Sequence, residues 1–210
     1  MIRTILAGLP LTLLITATAM ALGTLLAVPL TLGLRAGAPP VRWVCRVVVD
    51  LFRGVPQLVW LFIIYYGVSA GDARPTALGA GVAALGLVAS GYLAEIFRGA
   101  LKGVAAGQWE AAAALGFSPA TTWARILTPQ AARVALPAYT NYAIALLKDS
   151  AIVSTIGVAE MVFRTGQVAR TSDMGVFVYV FTAVIYIALS APLGMLSRRS
   201  DIKLREAVAR

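Results

Sequence analysis

Five stretches of this sequence are long and apolar enough, or nearly so, to cross a lipid bilayer. A membrane helix needs about 20 mostly apolar residues. Residues 4–34 and 54–71 carry no charged side chain, and 75–97, 129–149 and 174–197 carry few or none. In lipid the backbone N–H and C=O groups must be bonded internally, which leaves helices or closed barrels. The two-residue alternation of a membrane barrel is absent. The sequence therefore predicts an all-α integral membrane protein, one domain over 1–210 with about five transmembrane helices.

Charge then orients the spans. Lys and Arg number 18 against 9 acids. On a soluble domain that excess would suggest nucleic acid, but here the cations lie between the apolar runs, as a topology signal does. Arg35, Arg42, Arg46 and Arg53 follow the first run, opposed by Asp50 alone. Arg98, Lys102, Arg125 and Arg133 follow the third, and Arg198, Arg199, Lys203, Arg205 and Arg210 fill the tail. The alternate connections are poorer: Asp72 with Arg74, then Lys148, Arg164 and Arg170 against Asp149, Glu160 and Asp173. The positive-inside tendency puts the N-terminus outside, and residues 98–128 and the C-terminal tail in the cytoplasm. Arg3 pulls weakly the other way. Arg3 and "TATAMALG" together resemble a secretory signal, but the apolar run far exceeds the ~7–15 residues of a signal core, so a retained span is expected.

Several chemistries are excluded. One cysteine, Cys45, and no histidine leave too few ligands for zinc, haem or most transition metals, and no histidine-based triad. Lys148 and Ser150 could be imagined as a nucleophilic dyad. Two residues apart on a helix, they point about 200° away from each other.

Residues 98–128 interrupt the oily pattern. Gln108 to Leu115 are strong helix formers and Gly116 is a natural stop. Ser118-Pro119 is a good cap with a first-turn proline, predicting a second short helix to about Leu127. Thr128-Pro129 repeats the device and is expected to start the fourth span. Neither short helix would be stable alone in water, so they must rest on the membrane domain or on another protein.

The spacing Glu110-Ala111-Ala112, three residues, Gly116, nine residues, Ile126 and then Pro129 resembles the "EAA" loop of the membrane subunits of bacterial ABC importers, with Thr128 where the pattern has Leu. "RGVPQLVWLFIIYYG" from Arg53, "YLAEIFRGALKGVAAGQWEAA" from Tyr92 and "TPQAARVALPAYTNYAIALLKDSAIVSTIGVAE" from Thr128 look like the polar-amino-acid-uptake permeases. The resemblance implies a permease subunit in the bacterial cytoplasmic (inner) membrane, with 98–128 carrying the coupling helix and Glu110, Ala111, Ala112, Leu115 and Gly116 facing an ATPase. The chain has no G-x-x-x-x-G-K-[ST] phosphate loop; none of its three lysines follows a glycine. ATP and magnesium would therefore be bound by a separate ATPase subunit. Further implied partners are a second permease subunit, identical or paralogous, an external substrate-binding protein and a polar amino acid. A surface-lying amphipathic segment is the plainer reading of 98–128, but four alanines make a poor lipid anchor and Trp109 is the only strong one. A passive channel or ion-coupled secondary transporter is the rival function; it leaves the coupling loop unexplained, and no repeat relates the two halves.

Ionisable groups at membrane depth are functional candidates by default. Glu95 and Arg98 close the third span, and their spacing equally suits an i,i+3 pair. Lys148, Asp149 and Ser150 end the fourth; Lys148 and Asp149 could simply pair with each other. The following segment, broken by Gly157 and Gly166, is too short to cross between its charges and is expected to fold back at the outer side. Glu160 is there either a gate or amine contact, or a helix cap in a wet loop. Gln57 and Tyr92 complete the candidates for the substrate pathway. An amino acid would set its ammonium on Asp149 or Glu160, and its carboxylate on Lys148 or a helix N-terminus.

Overall fold

The computed structural model describes residues 1–68 and 74–208, with side chains through Arg198. Every regular element among them is helical. The first span begins as α1 (Ile2–Leu6) and continues as α2 (Leu9–Leu34). The break falls at Ala7-Gly8, because Pro10 cannot donate to the turn before it and Gly8 lies against another backbone. A Cβ on Gly8 would sit 2.6 Å from the Glu160 carbonyl carbon.

The third span, α5 (Ala77–Lys102), is the post around which the chain is built. Thr76 caps it by accepting from Gly79 N–H at 3.1 Å. Its small residues let α2 approach closely. A Cβ on Gly23 would meet the Ala89 side chain at 2.5 Å, and one on Gly86 would meet Leu22 at 2.7 Å. Thr31 adds a hydrogen bond to the Ala94 carbonyl at 3.3 Å. Such small-residue seams are how membrane helices pack without a hydrophobic driving force between them. The main core gathers here, with Ile15, Ala19, Ala27, Ala84, Ala89 and Leu93 buried together.

The connection after the first span is not a loop. It is α3 (Pro39–Gly54), started by Pro39-Pro40 in its first turn. Arg42, Arg46 and Arg53 masked it in the sequence, but they share the helix with an apolar set of which Val49 is buried. Arg46 donates to Glu95 at 2.6 Å, and Arg98 bonds the other oxygen of the same carboxylate. The expected i,i+3 pair on α5 is therefore real, with a third member from α3.

The second span also differs. Past Val55-Pro56 the chain bends by 100° into α4 (Gln57–Phe62), which runs on as a wider π-helical turn to Gly67. Eleven residues rise only about 16 Å, so the 57–67 helix does not cross alone; α3 and α4 together pass as one bent span. The end expected at 71 lies outside the described residues.

α6 (Ala106–Ala114) follows α5, then α7 (Pro119–Thr121). Residues Thr122–Leu127 form another π-helical stretch that leads without a break into α8 (Thr128–Asp149). Thr128 is helical, with φ −61° and ψ −45°, so it caps nothing. Pro129 has no N–H and its ring would strike the carbonyl four residues earlier; the wide turn accommodates it where the sequence suggested a fresh start.

α8 ends in a tighter 3₁₀ stretch over Ser150–Ile156 that stops at Gly157, whose φ is +87°. α9 (Met161–Thr171) follows, bent by 56° from the preceding helix, a change of direction short of the reversal that was expected. α10 (Gly175–Val208) closes the bundle against α8 and α9 and extends past the apolar run that predicted it. Among the described residues, three helices are each long and apolar enough to cross a membrane, and up to five spans result if each bent pair counts as one.

Candidate functional site

Two polar assemblies stand apart on the bundle, one around α6 before the start of α8 and one reaching from the middle of α5 to the end of α8. The first is α6 with its flanks. The helix stops as its sequence demands: Leu115 leaves the helix, and Gly116 turns left-handed at φ +68°. Gly116 N–H bonds the Ala113 carbonyl at 3.0 Å and Phe117 N–H the Ala112 carbonyl at 3.1 Å. That paired closure is a Schellman motif, which only glycine enters without strain. Ser118 Oγ then accepts from Thr121 N–H at 3.2 Å and opens α7.

The two faces of α6 differ. Ala112 is buried, while Glu110, Ala111, Leu115 and Gly116 are exposed, Leu115 to 71%. Glu110 has no hydrogen-bond or ion-pair partner among the described residues. The inner face packs through Trp109, which meets the Trp123 ring edge-on at 5.6 Å. Trp109 is thus spent on the protein and does not anchor a lipid surface. The Arg35 guanidinium, from the end of α2, lies 5.4 Å from the Trp109 ring and 5.7 Å from the Trp123 ring. Gln130 donates to Gln108 at 2.9 Å.

The second assembly lies where α4, α5 and the end of α8 meet. Gln57 Nε2 donates to Asp149 Oδ2 at 2.9 Å, joining two residues that sequence reasoning singled out separately. Tyr92 stacks on Tyr142 at 5.4 Å between ring centres, and the Arg53 guanidinium sits 5.2 Å over Tyr92. Gln57 Oε1, Trp60 Nε1 and the Tyr142 hydroxyl are buried without a hydrogen-bond partner among the described residues. Buried polar groups are ordinarily satisfied, so three such atoms on α4 and α8 mark a place suited to a polar guest.

The other candidates are arranged differently. Lys148 does not pair with Asp149. It is exposed and lines a groove of about 690 Å³ between α8 and α10, together with Tyr186, Ser190 and Arg198. Ser150 is fully buried and donates to the Leu147 carbonyl at 2.7 Å. Glu160 is the N-cap of α9, accepting from Phe163 N–H at 2.7 Å. It also accepts from the Tyr186 hydroxyl at 3.3 Å and the Thr12 hydroxyl at 3.4 Å, with no exposed surface of its own. It is a cap, as one reading had it, but in a dry junction of α2, α9 and α10 and not in a wet loop. Sequence reasoning passed over Arg35, Thr12, Tyr142 and Tyr186. Thr12, Tyr142 and Tyr186, hydroxyls within apolar runs, carried a signal that could have flagged them.

The chain matches the family described as binding-protein-dependent transport system inner membrane component over residues 19–206. It is 37% identical over 191 residues to the probable amino-acid permease protein YxeN of Bacillus subtilis (strain 168), covering 89% of this chain and 85% of that one. It is 34% identical over 189 residues to the L-cystine transport system permease protein TcyB of the same organism, covering 90% and 81%. Among solved structures, an amino acid ABC transporter with histidines aligns at TM-score 0.85 and 32% identity, over 96% of this chain and 94% of that one. The MetNI methionine ABC transporter, in inward-facing form, shares the fold at TM-score 0.76 and 22% identity, over 95% of each chain.

Proposed function

The chain belongs to the binding-protein-dependent transport system inner membrane component family, and on that premise we propose that it is the permease subunit of an ABC importer of polar amino acids. Relatives named as amino-acid and cystine permeases, matched along most of their length, support the substrate class. The α6 end faces the cytoplasm, following the arginine-rich connections. Glu110, Ala111, Leu115 and Gly116 meet a separate ATPase that binds ATP and magnesium, and Ala112 fastens the helix from behind. A second permease subunit completes the pore, and an external binding protein delivers the amino acid.

The observation that carries this reading is the unpartnered outer face of α6, small and ending on a left-handed glycine, offered at one end of a membrane bundle. Small side chains let a cleft close tightly on the helix, and Glu110 offers it a carboxylate. In the second assembly, Asp149 takes the substrate ammonium, with Gln57 and the Tyr142 hydroxyl as further partners. Glu160 and Ser150, buried and bonded, hold the backbone around that place, and Lys148 faces a separate groove.

The test is reconstitution in proteoliposomes with the ATPase and binding protein. ATP-dependent uptake is expected, and Asp149→Asn should slow it about tenfold, the loss of one charge-assisted contact of about 1.4 kcal/mol. ATP-independent accumulation by this chain alone would overturn the importer reading. Wild-type uptake by Asp149→Asn would overturn only the pathway assignment.

A further inference from the structure

We propose that Arg35, Trp109 and Trp123 form a clamp that delivers the movement of the coupling helix to two spans at once, α2 and α8. This rests on the function proposed above but assigns positioning residues that the resemblance does not supply.

The attachment of α6 is narrow. Its chain connections are the turn after α5 at one end and the Gly116 stop at the other. Its main packing is against the π-helical residues Thr122–Leu127. Trp109 is its large inward side chain and Trp123 is the ring that receives it. Both belong to a small apolar cluster with Leu101, Val104, Leu127 and Ala131, separate from the main core. Force applied to the outer face of α6 leaves through the buried Ala112, the Gln108–Gln130 hydrogen bond and this indole pair, of which the rings offer the broadest contact.

Trp123 passes that force to α8, because the π stretch and α8 are one continuous helix. Wide turns of this kind recur at functional sites, where they let a helix change its winding without breaking. Arg35 adds the second output. It is the residue on which α2 ends, and its guanidinium lies within 6 Å of both indole centres. The two indoles are nearly perpendicular, at 87°, and the cation lies about equally far from both centres, so it touches the pair at once; such contacts are worth about 0.5–2 kcal/mol each. Arg35 has no acidic partner among the described residues. Its role beside the rings is therefore not that of an ion pair passing through.

The experiment uses the permease reconstituted with its ATPase and binding protein. ATP hydrolysis is measured beside uptake of radiolabelled L-arginine, L-glutamine and L-cystine, run in parallel. Trp109→Ala and Arg35→Gln should co-purify with the ATPase and still hydrolyse ATP. The ATP spent per amino acid imported should rise at least fivefold. Trp109→Phe and Arg35→Lys, which keep a ring and a cation, should restore most of the coupling. Arg35 is exposed, so its variants test the clamp even where Trp109→Ala does not fold. An unchanged ratio in both disruptive variants overturns the clamp, as does a raised ratio that the conservative variants do not restore. Failure of the wild-type chain to bind an ATPase would instead overturn the function on which the clamp rests.

Discussion

Two acidic side chains, Glu110 on α6 and Glu160 at the junction of α2, α9 and α10, are treated in opposite ways. Glu110 stands exposed without a partner, while Glu160 is fully buried and accepts from a backbone N–H and two hydroxyls. A carboxylate left free on a short helix stabilises nothing within its own chain. One wrapped by three elements fixes where they meet. The α6 region is therefore unfinished within the single chain, and the Glu160 junction is closed. Changes at the first should cost activity without cost to the fold, and changes at the second should do the reverse.

The largest expected effect is at Gly116. In Gly116→Val a β-branched residue must adopt φ +68°, a strain of about 1–3 kcal/mol that the stop will relieve by rearranging. Uptake should be abolished while ATP hydrolysis persists and the melting temperature of the purified permease is unchanged. A matching fall in melting temperature would break the comparison. Next comes Glu160→Ala, which removes a cap worth about 1 kcal/mol and the hydrogen bond from the half-buried Tyr186 hydroxyl, worth about 1 kcal/mol more. Thermal denaturation in detergent should shift down by several degrees. An unshifted melt with uptake lost would make Glu160 itself part of the transport pathway and not an anchor of the fold.

Gly8→Ala should sharpen the same point from the facing element, since its methyl would lie 2.6 Å from the Glu160 backbone. Overpacking of this kind costs about 1–3 kcal/mol, read as a smaller downward shift of the melt. The smallest effect is Ser118→Ala, loss of an exposed cap at about 0.5–1 kcal/mol. Uptake should fall less than twofold.

Much of this was legible in the sequence where a single residue's chemistry decides the outcome. Gly116 had to stop a helix, Ser118 had to start one, and α8 begins within a residue of its expected place. What escaped was decided between elements. The basic connection after the first span folds as α3 because Arg46 finds Glu95 across 49 residues, a partnership that local spacing does not reveal. Thr128-Pro129 looks like a helix start by itself, yet the continuous helix wins because a wide turn absorbs the proline. Asp149 chose Gln57 on another helix over its neighbour Lys148. Glu160 was legible as a cap but not as a buried one, because Thr12 and Tyr186 come from distant parts of the chain.

The seam between α2 and α5 has a mechanical corollary. Where Gly23 faces Ala89 there is no room for even one added carbon, and Leu22 is seated over Gly86 like a peg. Sliding one helix along the other would have to lift that peg from its seat. The pair must travel as one plank, so a pull on the Arg35 end of α2 is also a pull on α5, and the whole first half of the bundle answers to a single handle.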